Sequence, residues 1–175
     1  MSIFGWKSVA HNYGWKGFLK DSILPVIISS ALCITMHRMG KDSYIQLKHL
    51  VDIGISVIPA MVALILTAYT IMLSFFIGDK FSEIKKNEKG KRLIKELNSG
   101  FAACLFVSTF AIIIMIVVSC VANLNFEVYN PDIINYPIYF IVCYLLFYSV
   151  SILIGIVIDI FNCGQTTLLD DDSNE

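Results

Sequence analysis

Residues 101–121 read FAACLFVSTFAIIIMIVVSCV and residues 138–158 read IYFIVCYLLFYSVSILIGIVI, two charge-free apolar runs of 21 residues each. At about 1.5 Å rise per helical residue, 21 residues reach ~31 Å, the thickness of a bilayer's hydrocarbon core. A third run, Ile53 to Ile77, is longer still. These runs predict an all-α, polytopic membrane protein. With 175 residues, 57% of them hydrophobic and 15% charged, the chain leaves no room for a separate soluble domain.

The span count rests on charge as much as on length. The first apolar run, Ser22 to Met36, has only 15 residues and contains Pro25, which leaves it about 8 Å short of a full crossing. Lys80, Lys85, Lys86, Lys89, Lys91, Arg92 and Lys95 crowd the connection at 78–99, whereas 122–137 holds no basic residue. By the positive-inside rule the first connection is cytoplasmic and the second lies outside. If the short run spans, Lys7, Lys16 and Lys20 are also inside, giving ten basic residues in against three out, Arg38, Lys41 and Lys48. This asymmetry predicts four transmembrane helices in a multi-pass protein of the bacterial inner (cytoplasmic) membrane, with both termini cytoplasmic. A re-entrant first segment is the other reading of that run.

The chain divides accordingly into an interfacial segment at 1–21, a thin first span at 22–36 and a second span at 51–78. A basic cytoplasmic hairpin follows at 79–99, then a third span at 100–121, a fourth at 137–160 and an acidic tail at 164–175. In the N-terminal segment Gly-Trp-Lys occurs at 5–7 and again at 14–16. Trp6, Tyr13 and Trp15 with interleaved lysines suit the headgroup level, where rings with an apolar face and a polar edge gather. They are read as interfacial anchors touching membrane lipids. The tail, LLDDDSNE, is too polar to pack and is expected to be unstructured.

Two faces stand out within the spans. On the second, Ser56, Ala60, Ala63, Thr67, Thr70, Ser74 and Gly78 recur at alternating steps of four and three. Small side chains at a seven-residue period let backbones approach closely in lipid, so the stripe is expected to be a helix-packing seam with left-handed crossing. Lining of a narrow aqueous path is the competing use of its hydroxyls, and bonding back to their own helix is a third. On the fourth span, Tyr144, Tyr148, Ser151, Gly155 and Asp159 form the most polar line, a possible pore or polar face whose tyrosine hydroxyls need partners or water.

Nothing in the chain suggests a reaction. His11, His37 and His49 have no carboxylate or cysteine at ligand spacing, and no phosphate-binding or nucleophile motif occurs. The five cysteines, Cys33, Cys104, Cys120, Cys143 and Cys163, lie in or beside apolar runs without a C-x-x-C pair, so they are read as small packing residues. The expectation is a protein that is not an enzyme, with no catalytic residue, no metal site, no cofactor and no direct nucleic-acid binding.

Four spans in under 200 residues, a thin first span, a second span running into FIGDKFSEIKKNEKGKRLIKELNSGF and a short acidic tail together resemble small membrane components of bacterial antiphage systems. The resemblance is one of layout, covering about residues 20–165, to the membrane subunit of the Kiwa system and to membrane accessory proteins encoded beside Cas13b nucleases. The chain lacks the Arg-x4-His pair proposed for some of the latter. The resemblance implies a homo-oligomer that senses phage-induced disturbance and signals to a cytosolic protein partner, or that permeabilises the membrane when triggered. Lys80, Lys85, Lys86, Lys89, Lys91, Arg92 and Lys95 would then contact that partner, or anionic lipid. An ion channel or pore outside defence and an anchor for a soluble enzyme are the alternatives. A small-molecule exporter is a further one, weakened by the missing midplane carboxylate.

Overall fold

The computed structural model describes residues 6–40, 42–77, 88–123 and 131–172. They form four long helices: α1 (Trp6–Arg38), α2 (Ser43–Ile77), α3 (Glu88–Ala122) and α4 (Pro131–Asp172). Each contains a stretch long and apolar enough to cross a membrane: Gly17–Arg38, Ser43–Ser74, Gly90–Ala122 and Pro131–Asn162. The fold is that of a four-helix transmembrane protein, as the apolar runs require.

Span length is where structure and composition differ most. The 15-residue first run becomes a span of 22 residues, because the helix recruits Gly17 to Asp21 at one end and His37 and Arg38 at the other. Long side chains such as Lys20 and Arg38 can carry their charge to the interface while their stems stay in the apolar layer. Pro25 does not end the helix, so α1 runs unbroken through a stretch long enough to cross a membrane. Only the second part of the expected hairpin at 79–99 is described. Residues 88–99 open α3, and residues 78–87 lie outside the described part. At the other terminus α4 continues through the expected tail as far as Asp172.

Helix ends are set by local chemistry. α1 finishes on Arg38, a cation suited to a helix C-terminus. It closes through Met39 N–H to Thr35 C=O at 3.0 Å and Gly40 N–H to His37 C=O at 3.2 Å, with Gly40 at φ 60°, the left-handed conformation that glycine adopts without penalty. Two residues later Asp42 caps α2, its carboxylate accepting from the N–H groups of Tyr44 (2.9 Å) and Ile45 (3.2 Å). Asp42→Ala is expected to lower stability by about 1 kcal/mol, the usual cost of losing an N-cap, measurable as a lower unfolding midpoint in detergent. The core contacts make successive helices antiparallel: the end of α1 and the start of α2 (Met36, Leu47, Leu50) meet the end of α3 and the start of α4 (Met115, Tyr139), and the second half of α2 (Ile65, Met72) meets the start of α3 and the second half of α4 (Phe101, Ile152). The bundle thus has a terminal end, where α1 and α3 begin and α2 and α4 finish, and a distal end, where α1 and α3 finish and α2 and α4 begin.

α3 and α4 form the centre: α1 packs on both and hardly touches α2, while α2 packs on both from the other side. The seams follow a seven-residue period. On α2 the buried residues include Val51, Gly54, Ile58, Met61, Ile65 and Met72, and on α3 they include Leu97, Phe101, Cys104, Ser108, Ala111 and Met115. One core cluster, around Ile58, Met115 and Val142, fills the distal half, and another, around Ile65, Phe101 and Ile152, fills the terminal half. Gly54 is required by a close approach, since a Cβ there would stand 2.2 Å from Met115 Sδ and 2.7 Å from its Cε. Outside, large apolar side chains such as Leu64, Ile113 and Val157 are exposed. In hydrocarbon they need no cover, because lipid tails are as apolar as they are and helices associate there by packing and polar contacts.

Candidate functional site

The polar line of α4 faces α1. Tyr148 is 2% exposed, while Tyr144, Ser151 and Gly155 are half-buried and Asp159 is exposed. The rings of Tyr144 and Tyr148 stack at 5.5 Å between centroids, and Phe18 of α1 lies 5.4 Å from Tyr148. Ser22 Oγ donates its single proton to Phe18 C=O at 2.7 Å. Tyr144 therefore donates to Ser22 Oγ across their 3.0 Å contact. The partner that the Tyr144 hydroxyl required is thus a neighbouring helix, and as folded the line borders α1 rather than an open path.

The α1 side of this contact is a small-residue face that spacing alone did not single out: Ser22, Pro25 and Ser29 are buried and Cys33 half-buried, at steps of three, four and four. It faces the α4 residues Tyr139, Cys143 and Tyr144. The Ser29 hydroxyl faces the Cys143 thiol, and the Ser108 hydroxyl faces that of Cys104. Cys104 and Cys143 are fully buried packing residues, Cys33 is half-buried and Cys120 is exposed, all as free thiols. At the terminal end Asp159 faces Lys20, Asp21 and Glu96. The Asp21 carboxylate lies 4.0 Å from where a Cβ on Gly155 would stand.

The distal end is tied by a second polar group that the sequence reading did not assemble. Ser43 donates to Asp132 at 2.5 Å and accepts from the Asn135 amide at 3.1 Å. The Tyr44 hydroxyl donates to Ala122 C=O at 2.7 Å, and the His37 ring sits edge-on to Tyr136 with Nδ1 3.4 Å from its hydroxyl. These contacts join the start of α4 to the α1–α2 turn, and the start of α2 to the end of α3. No sequence periodicity predicts them, because all their members fall outside the apolar runs read from the sequence.

The small stripe of α2 lies elsewhere. Ser56, Ala60, Ala63, Thr67, Thr70 and Ser74 are all exposed, and Gly78 lies outside the described residues. Each hydroxyl is satisfied within its own helix: Ser56 by Ile53 C=O, Thr67 by Ala63 C=O, Thr70 by Leu66 C=O and Ser74 by Thr70 and Ile71 C=O, at 2.8–3.0 Å. The stripe takes no part in packing within the chain. Most of its members stand two residues after a buried one (Ala60 after Ile58, Ala63 after Met61, Thr67 after Ile65, Ser74 after Met72), or about 200° around the helix.

Of the basic residues, Lys91, Arg92 and Lys95 project from the first turns of α3. Lys91 pairs with Glu88 and Arg92 with Glu96, both at 2.8 Å. The hydrogen bond from Lys91 holds the Glu88 carboxyl below its usual pKa. Lys80, Lys85 and Lys86 lie outside the described residues, as do the side chains of Lys89, Trp6, Tyr13 and Trp15, whose backbone is helical. A break at Gly14 (φ 66°, ψ 165°) separates the segment bearing Trp6 and Tyr13 from the span.

Chemically, the described residues offer two separate things: a sheltered polar seam between α1 and α4, and an outward, internally satisfied small face on α2. No protein-family model, no curated protein and no solved structure matches the chain.

Proposed function

We propose that the chain is a non-enzymatic, oligomeric component of the bacterial cytoplasmic membrane that acts with a cytosolic partner as a sensor or effector of antiphage defence. The observation carrying the oligomer is the outward small face of α2. Small residues at a seven-residue period bring helices close in lipid, and the fold leaves this face unused. Because its hydroxyls are already bonded to their own helix, a second copy can approach without desolvating free polar groups. Ile58, Met115 and Val142 fill the distal half of the single chain and Ile65, Phe101 and Ile152 the terminal half, which favours a permeation route between copies. The exposed Lys91, Arg92 and Lys95 suit an acidic partner surface on the cytoplasmic side. The defence role rests on the layout resemblance.

The test combines assembly and infection. In a chain whose native cysteines are replaced, Ala63→Cys is expected to form a covalent dimer in oxidised membranes, while Ile113→Cys on the exposed face of α3 stays monomeric. Bacteria carrying the gene with its neighbours, loaded with a voltage-sensitive dye, are then infected with phage. Reduced plaquing with the intact chain, lost on Lys91, Arg92 and Lys95 charge reversal, is the expected result. A monomer in the first assay removes the α2 face as the interface, and unchanged plaquing across a phage panel removes the defence role.

A further inference from the structure

We propose that the groove between the start of α2 and the end of α3 binds a zwitterionic, amine-bearing phospholipid whose phosphate rests on Lys48. Its walls are apolar, with Leu47 and Val51 on α2 and Val118 on α3, and its polar members are Lys48, Ser119 and Asn123. It lies at the distal mouth of two spans. Lys48 stands within two turns of the start of Ser43–Ser74, and Asn123 follows the last residue of Gly90–Ala122. That is the level at which phospholipid headgroups meet their acyl chains.

The polar members have no task inside the chain. Among the described residues, the side chains of Lys48, Ser119 and Asn123 make no hydrogen bond or ion pair. Asp52, exposed one turn further along α2, stands at the i,i+4 position where a lysine commonly pairs. Lys48 forms no ion pair with it among the described residues and lines the groove towards α3 instead. A lysine so placed lays its stem along apolar surface and holds its ammonium at the headgroups. The enclosed volume, about 10 Å³, admits one water molecule at most, so an organic ligand must lie along the groove from outside. A lipid does this, with its headgroup over the polar members and its acyl chains passing Val51 and Val118 into the hydrocarbon. Charge selects the headgroup. Lys48 attracts a phosphate, whereas Asp52 and the partial negative charge at the C-terminus of α3 oppose a net anion. A phosphate tethered to a primary ammonium answers both, and that ammonium can donate to carbonyls of the last helical turn, which a quaternary one cannot.

Native mass spectrometry of the full chain tests this, with phosphatidylethanolamine, phosphatidylglycerol or phosphatidylcholine titrated into the detergent-purified protein. Phosphatidylethanolamine is expected to bind first, at one molecule per chain and about 5-fold more tightly than either of the others, the value of one charge at a membrane surface. Lys48→Gln should weaken it about 5- to 20-fold. Ser119→Leu, which fills the groove without touching the lysine, should weaken it to a similar extent. Arg38→Gln, which removes a distal cation on α1 outside the groove, should leave it unchanged, and matching unfolding midpoints show that each variant is folded. The proposal is overturned if phosphatidylethanolamine binding survives both groove variants, if phosphatidylglycerol binds as tightly, or if no lipid is retained.

Discussion

A leucine at position 54 separates α2 from α3. Its Cβ alone would stand 2.2 Å from Met115 Sδ, and Met115 is fully buried, with Ile58, Ala111 and Val142 in the same cluster. The methionine end can swing, but only into space those neighbours occupy. We expect Gly54→Leu to destabilise the chain by about 1–3 kcal/mol, the usual cost of overpacking a core. Met115→Ala alone should cost about 2–5 kcal/mol through its cavity. Combined, the leucine fills the space that the methionine leaves, so the double variant should be more stable than the sum of the two losses by ~1–3 kcal/mol. A detergent unfolding series on the four proteins measures this. Strict additivity would mean that Gly54 and Met115 do not share the contact.

The opposite face of the same helix should respond in the opposite way. Ala63 and Thr67 are exposed, so Ala63→Phe and Thr67→Phe should leave the unfolding midpoint of the chain almost unchanged. Their effect falls on association: a ring in a close-approach seam is expected to weaken it by roughly 1–3 kcal/mol, or about 5- to 150-fold in the dissociation constant. Light scattering in mild detergent, with crosslinking in native membranes, reads the result. Gly54→Leu and Ala63→Phe thus form a crossed pair, one damaging the fold and one the assembly. An oligomer that survives both phenylalanines unaltered places any interface on another surface.

These two variants also mark how far the sequence could be read. The period of α2 was legible, but it supports two stripes. Val51, Gly54, Ile58, Met61, Ile65 and Met72 share the spacing of Ser56, Ala60, Ala63, Thr67, Thr70 and Ser74, about 200° apart. In water, hydrophobicity would choose between them. In lipid both faces are acceptable outside, so the choice falls to shape, and the bulky residues that interlock with Phe101 and Met115 turn inward. The tyrosine line of α4 was legible as polar, but its cover was not. The matching face of α1 uses Ser22, Pro25, Ser29 and Cys33, four different residue types that no single-residue pattern connects.

The sequence by itself determined the class, the number of helices and the uneven placement of basic residues about the spans. Each of these depends on composition over tens of residues against a bilayer of constant thickness. Only the tertiary structure decided which face of α2 turns inward, that α1 attaches to α4 by serines beneath tyrosines, and that Gly54 admits Met115. Those outcomes depend on ångström-scale fit between helices far apart in the chain, and in a solvent as apolar as the side chains no hydrophobic pattern records that fit.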